Sequence, residues 1–288
     1  MSAAGPLVSI LTPSRNQARF LPDCLASVES QTYANVEHVV VDGASTDGTR
    51  ALLEAAPPRV RWVSEPDRGQ GHALNKAFGL SSGEIIAWVN ADDGLADRRA
   101  IARAVEAFRR DETVGAVVGA ALIINEENEI LQAVPAVPVS LRLLRAVNYV
   151  IQPAVLFRRS VVEAEPALVR EDLEYVIDRD LWFRLAPNVR FGTVAGVVGV
   201  DRHQRERKVL DDEFWVEFAE FDRSLGIDRT PATAALAVLT RLGMRLGGAA
   251  TTVRLDSSLD PAFGLRLPPR VARLRRQLTT RRRGMSFT

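Results

Sequence analysis

Ile85-Ile86-Ala87-Trp88-Val89-Asn90-Ala91-Asp92-Asp93 is the segment from which the fold class follows. Its first five residues are apolar with no polar alternate, the pattern of a short strand covered on both faces. The run passes directly into an amide and two carboxylates. Acids that emerge from a buried strand need a cation, a partner or solvent. Mg²⁺ is typically held by one or two carboxylates together with substrate phosphates.

Outward from this segment, residues 1–120 alternate. Leu7 to Leu11, Val36 to Val41, Val60 to Val63 and Val114 to Val118 read as strands. Phe20 to Gln31, Thr46 to Ala55, Gly71 to Leu80 and Asp97 to Arg110 read as helices, the second closed by Pro57-Pro58. The alternation predicts an α/β fold, a Rossmann-like mostly parallel sheet with helices on both faces. In such sheets ligands sit at the carboxyl ends of the strands. Further on, Ala121 to Val150 reads as a hairpin and a loop-rich segment. Ala154 to Arg158 is an expected strand, Leu173 to Leu185 a helix, Arg190 to Val200 a strand or hairpin, and Asp211 to Leu225 an amphipathic helix. The expected organisation is one domain over residues 1–225, then a helical appendage and a basic tail over 226–288.

The 288 residues are 47% hydrophobic, enough for a sizeable core, and 25% charged with a net charge of +1, which excludes global disorder and a wholly basic chain. Positive charge is nearly all arginine, with only Lys76 and Lys208 as lysines, so arginine richness is weak ground for a nucleic-acid partner and none is expected. Cys24 is the sole cysteine, which excludes an internal disulfide and suits a reducing compartment. Its apolar neighbours Phe20, Leu21, Leu25 and Val28 place it in the core. Met1 to Gly5 has neither the basic start nor the apolar run of a signal peptide. No stretch reaches the ~18 apolar residues of a membrane span; the nearest, Pro231 to Leu246, is broken by Arg241 and Arg245. A cytoplasmic location is expected.

The other strand ends resemble the first segment in character: Thr12-Pro13-Ser14-Arg15-Asn16, Asp42-Gly43-Ala44-Ser45-Thr46-Asp47-Gly48 and Ser64-Glu65-Pro66-Asp67-Arg68-Gly69-Gln70. Each alone reads as a turn or a helix cap. Together at one sheet edge they favour a polar ligand site.

These motifs follow one another as they do in the family 2 glycosyltransferases of GT-A fold, which the chain resembles over about residues 7–205. Asn75-Lys76, Gln152-Pro153-Ala154 and Asp178-Arg179-Asp180 through Leu185 belong to the same series. The resemblance implies a donor half to about residue 120 and an acceptor half to 225. It implies transfer of a sugar from a nucleotide-diphosphate sugar, a UDP-sugar first, to a hydroxyl acceptor such as a glycan, a lipid-linked sugar or a small molecule. Asp42 resembles the acid that reads the donor's base, with Pro13, Ser14 and Asn16 nearby. Asp67 and Arg68 stand where the family contacts the nucleotide, and Thr12, Gly43, Ser45, Gln70, Asn75 and Lys76 complete the expected donor side. Asn90-Ala91-Asp92 matches the Asp-x-Asp metal motif with asparagine in first place. That leaves Asp92, with Asp93 and His203, to hold Mg²⁺ or Mn²⁺. Asp178 matches the acid that acts as general base, Ile177 replacing the usual preceding glutamate; Asp180 is the alternative base. The two-residue offset keeps both from one helical face. One displacement assisted by base and cation would invert the anomeric centre.

Other classes lack their marks. A nucleotidyltransferase needs a glycine-rich basic loop, a dehydrogenase Gly-x-Gly-x-x-Gly after the first strand, and a kinase-type site a P-loop; none is present. A non-catalytic sugar-binding relative remains the alternative, favoured only by Asn90. From Pro261 to Thr288 there are eight arginines and no acid. Interleaved with Leu265, Leu267, Val271, Leu274 and Leu278, they suggest peripheral attachment to an anionic membrane, on its inner face for a cytoplasmic enzyme.

Overall fold

The computed structural model describes residues 5–163, 165–204, 212–228, 230–254 and 265. The basic tail beyond Leu265, on which the sequence places membrane attachment, lies outside the described residues.

The first half is built as the alternation predicts. Strands β1 (Val8–Ser14), β2 (Val36–Asp42), β3 (Val60–Ser64) and β4 (Ile85–Trp88) are joined by helices α1 (Leu21–Glu29), α2 (Thr49–Glu54) and α3 (Gln70–Leu80). They lie parallel in the order β3-β2-β1-β4. Strand order therefore reverses between β1 and β4, where an open α/β sheet leaves its crevice. Side chains alternate along each strand. Leu11, Val39, Val41, Ile86 and Trp88 enter one buried cluster with Leu74 and Ala77 of α3. Val8, Ile10, Ile85, Ala87 and Val89 enter another with Cys24 and Val28 of α1. Cys24 is fully buried, as its spacing predicts.

Strand β5 (Gly94–Leu95) and helix α4 (Ala100–Arg110) follow, then β6 (Ala116–Ile124), β7 (Ile130–Val134), α5 (Leu141–Ala146), β8 (Val155–Arg158), α6 (Ile177–Leu185), β9 (Phe191–Arg202), α7 (Asp212–Ser224) and α8 (Pro231–Arg254). All nine strands among the described residues join one sheet. Strand β8 lies antiparallel between β4 and β6, so β6 is not the direct neighbour that a simple fifth parallel strand would be. Strand β9 runs parallel to β6, while β5 closes the far edge antiparallel. The hairpin begins with β6, earlier than expected, and turns at Asn128 with φ 63°.

Several helices start later than their periodicity suggests, and in each a side chain holds backbone amides at or just ahead of the observed start. The Asp47 carboxylate accepts from the Thr49 and Ala18 N–H groups, Asp97 accepts from the Arg99 N–H, and Glu217 accepts from residues 174–176 ahead of α6. Helix α8 packs on β7 and α5.

Gly199 of β9 lies against the 3-10 turn Gln152–Ala154, where an added Cβ would stand 2.6 Å from the Ala154 nitrogen and the Pro153 carbonyl carbon. These are backbone atoms and cannot swing aside. Gly199→Ala should therefore destabilise the protein by about 1–3 kcal/mol, the usual cost of overpacking, read as a lower midpoint in urea denaturation with unchanged slope.

Candidate active site

Strand register sets the first part of the site. Ser14, at the end of β1, pairs with Asp42 at the end of β2, and Asp42 with Ser64 of β3. Asp42 is fully buried. Its carboxylate accepts from the Ser45 N–H at 3.0 Å, from the Ser64 hydroxyl at 2.7 Å and from the Ser45 hydroxyl. The Ser45 hydroxyl in turn accepts from the Asn16 N–H, and the Asn16 side chain accepts from the Thr46 N–H. Asp42 thus organises the loop after β2. Gly43 lets the next loop close over it: a Cβ there would stand 2.5 Å from the Asp67 carboxylate. Asp67 accepts from the Gly69 N–H.

The loops after β1, β3 and β4 wall a cavity of about 500 Å³, lined by Pro13, Ser14, Asn16, Asp67, Ala91 and Asp92 among others; Asp42, Gly43 and Ser45 stand behind that wall and do not line it. A second cavity of about 300 Å³ is lined by Trp88, Asp93, Gln152, Tyr175, Asp178 and Asp201 among others. Gln70, Asn90 and Glu174 line both. The Asn90 amide uses its whole hydrogen-bonding capacity there. Its oxygen accepts from Trp88 Nε1 at 2.7 Å and Gln70 Nε2 at 2.8 Å; its nitrogen donates to Asp93 at 2.9 Å and Gln152 at 3.3 Å.

The other expected residues fall into two groups. Asp178 lines the second cavity. Burial pushes its carboxyl up to about 6, against the pull of the Arg179 N–H and with a further push from the Asp201 charge. Asp180 is buried but bound to Arg184 at 2.8 Å, and lines neither cavity. Thr12 is buried against His38, their side chains 2.9 Å apart. Asn75 exchanges hydrogen bonds with the Val169 backbone, Arg68 pairs with Glu171, and Lys76 with Glu65. These residues bond to neighbouring segments and do not line the cavities. His203 stands 3.5 Å from Asp201.

The acids are arranged to welcome positive charge. Burial raises the Asp92 carboxyl, and burial followed by the charges of Asp92 and Asp201 raises Asp93 well above the usual range. Asp92 faces the first cavity and accepts from Gln204 at 2.6 Å. Asp93 accepts from the Arg202 N–H at 2.9 Å. Among the described residues no three His, Cys, Asp or Glu side chains are gathered as a metal cage. The set suits a cation that takes few ligands from protein and the rest from phosphate and water, as Mg²⁺ does.

Sequence reasoning missed Asp201, Gln204 and Glu174. Asp201 follows the apolar run Val197–Val200 broken by Gly199, the same signal as at Asn90. Helix α7 also contributes. Glu217 accepts the N–H groups of Glu174, Tyr175 and Val176 at 2.8–3.0 Å, at the threshold of the helix that carries Asp178.

Known proteins share this architecture. TarS 1-349 of S. aureus, in complex with UDP-GlcNAc, superposes with a TM-score of 0.60 at 16% identity over 87% of this chain and 76% of its own. The mannosyltransferase PcManGT of Pyrobaculum calidifontis, with GDP-Man and Mn²⁺, gives 0.58 at 23% over 90% and 78%. At these identities the likeness is one of fold. A curated but uncharacterised glycosyltransferase of Nostoc sp. is 32% identical over 130 residues, 44% of this chain and 40% of the relative. Chondroitin synthase of Escherichia coli is 33% identical over 129 residues, 44% of this chain and 19% of the synthase. The chain thus spans two fifths or less of the length of these two relatives. The family model described as glycosyl transferase family 2 matches residues 9–164, more than half of the sequence and most of both cavities' walls, and the chain belongs to that family of glycosyltransferases.

Proposed function

We propose that this glycosyltransferase moves a sugar from a nucleotide-diphosphate sugar to a hydroxyl acceptor in one inverting displacement, with Asp178 as general base. The observation that carries the proposal is the pair of cavities joined at Gln70, Asn90 and Glu174, one holding Asp92 and the other Asp178. The first cavity takes the nucleotide and the second the acceptor, so the anomeric carbon lies at their junction. Asp178 accepts the acceptor's proton as its oxygen attacks. Its raised value suits it to hold that proton while still ionised near neutrality. A divalent cation, Mg²⁺ or Mn²⁺, held by Asp92 and the donor's phosphates would stabilise charge on the departing diphosphate. Asn90 cannot bring a second charge to that cation; it fixes Asp93, Gln152 and Gln70 around the junction. The solved relatives hold UDP-GlcNAc and GDP-Man, so a donor screen covers both bases, with UDP-sugars first. The name of the E. coli relative, and that of the PGL/p-HBAD biosynthesis glycosyltransferase of Mycobacterium bovis, 38% identical over 109 residues, favour a glycan or glycolipid pathway.

A panel of nucleotide sugars, assayed for nucleotide diphosphate release with Mg²⁺, Mn²⁺ or EDTA, tests this reading. Asp92→Ala should lose the metal-dependent activity, by several kcal/mol of transition-state stabilisation. Full wild-type activity in EDTA together with an active Asp92→Ala would remove the cation from the scheme.

Asp178→Asn should lower kcat by about 10²–10⁴-fold with donor binding retained. In the wild type kcat should rise with pH through about 6 and level off above it, because the base works ionised. Stability follows the opposite sign. A carboxyl raised in the folded state binds more protons there than in the unfolded chain, so stability falls as pH climbs towards 6. The amide introduced by Asp178→Asn has nothing to ionise, so the variant's melting temperature at pH 7 should not fall below that of the wild type. An active Asp178→Asn beside a dead Asp180→Asn would move the base two residues along.

Glu217→Ala frees three N–H groups ahead of α6. We expect kcat to fall about tenfold, equivalent to about 1.4 kcal/mol, with a smaller rise in donor KM. Glu217→Gln keeps an accepting oxygen and should recover part of the loss; equal kcat in all three forms would make Glu217 irrelevant to the base.

A further inference from the structure

Helix α8 has two faces of unusual assignment. Its inner side rests on the body through Ala237 and Met244, and Gly247 and Gly248 bring it against Pro135 and Ala133. Its outer side carries Val238, Leu239, Leu242 and Leu246, which are 62%, 64%, 52% and 66% exposed. At about 100° per residue these four and Ala235 fall within an arc of about 100°, with Arg241 and Arg245 along one border. A surface helix ordinarily turns such a stripe inward; contiguous large apolar side chains left in water mark an interaction surface.

The charge around the stripe selects its occupant. Helix α8 contains no acid. From Pro231 to Thr288 the arginines at 241, 245 and 254 and the eight from Arg266 to Arg283 stand against only Asp256 and Asp260. A second copy of the helix would set Arg241 and Arg245 against like charges. An apolar stripe bordered by guanidinium groups is the form of a helix lying in the plane of a bilayer, its apolar side at the acyl boundary and its cations among anionic headgroups. No helix among the described residues is long and apolar enough to cross a membrane, so α8 would lie on the surface. We propose that α8 docks through Val238, Leu239, Leu242 and Leu246 onto an anionic lipid bilayer, with Arg241 and Arg245 among its headgroups.

The test is sedimentation of the full chain with phosphatidylcholine vesicles, with and without phosphatidylglycerol. The wild type should pellet with the anionic vesicles, and less so in high salt. Leu239→Asp with Leu242→Asp should lower the partition by about tenfold or more, because the stripe supplies the apolar half of the affinity. Arg241→Ala with Arg245→Ala, which adds no charge to the helix, should keep an unchanged melting temperature and bind with a weaker salt dependence. Equal pelleting of wild type and the Asp variant, or equal binding to both vesicle types, overturns the proposal. So does a wild-type dimer in sedimentation equilibrium that the Asp variant dissolves while vesicle binding persists; the stripe would then be a self-association surface. Turnover with a soluble acceptor should be the same in every form. Lost vesicle binding with intact turnover follows from this inference, whereas absent turnover in all forms, wild type included, counts against the proposed reaction alone.

Discussion

The edge of the sheet depends on one amide. Asn90 sits where β4 ends, and both sides of its amide group are in use: two donors converge on its oxygen, from Trp88 and Gln70, and its nitrogen serves Asp93 and Gln152. A carboxylate in the same place could accept from Trp88 and Gln70 but could offer nothing to Asp93. It would add a like charge beside a carboxyl that burial and its acidic neighbours already push upward. The departure from Asp-x-Asp is therefore matched by its surroundings. Gln70 comes from α3 and Gln152 from the turn before β8, so the amide ties the parallel part of the sheet to the mixed part.

A second constraint holds the helix of the proposed base. Arg179, next to Asp178, is almost fully buried and pairs with Asp222 of α7 at 2.7 Å. Its guanidinium lies 4.1 Å from the ring centre of Phe218 and also faces Phe183 and Phe221. A buried ion pair is weak evidence of net stabilisation, but removing one partner leaves an uncompensated charge inside. The cation therefore fixes how α6 and α7 meet more than it adds to stability. With Glu217 on the amides before α6, it turns α7 into the support of the segment that carries Asp178, although α7 lines neither cavity.

Much of this was legible in the sequence. The parallel strands are short apolar runs bounded by turn residues, a pattern that burial on both faces imposes. Asp92 and Asp178 could be named because each lies in a motif of fixed local spacing. The direction of β8 could not be read: Val155–Arg158 has the same apolar character whether its neighbours run with it or against it. Gln204 could not be read either, since it meets Asp92 across 112 residues of chain and nothing near it in sequence marks that meeting. Asn75, Lys76 and Arg68 carry motif identities, yet they line neither cavity. A motif preserves residue type at a spacing; which way the side chain points is settled by what packs behind it.

The antiparallel insertion of β8 has a mechanical consequence. Ile85, Ile86 and Ala87 of β4 pair with Arg158, Phe157 and Leu156, and β8 pairs onward with β6. The sides of the sheet that carry the two cavities are therefore stitched by one continuous ladder with no linker between them. Rocking one side against the other, as two-domain enzymes do around a hinge, would break backbone hydrogen bonds inside a buried sheet. Any closing over substrates must then be accomplished by loops and helices above the strand ends, while the distance between the two cavities stays as rigid as the sheet itself.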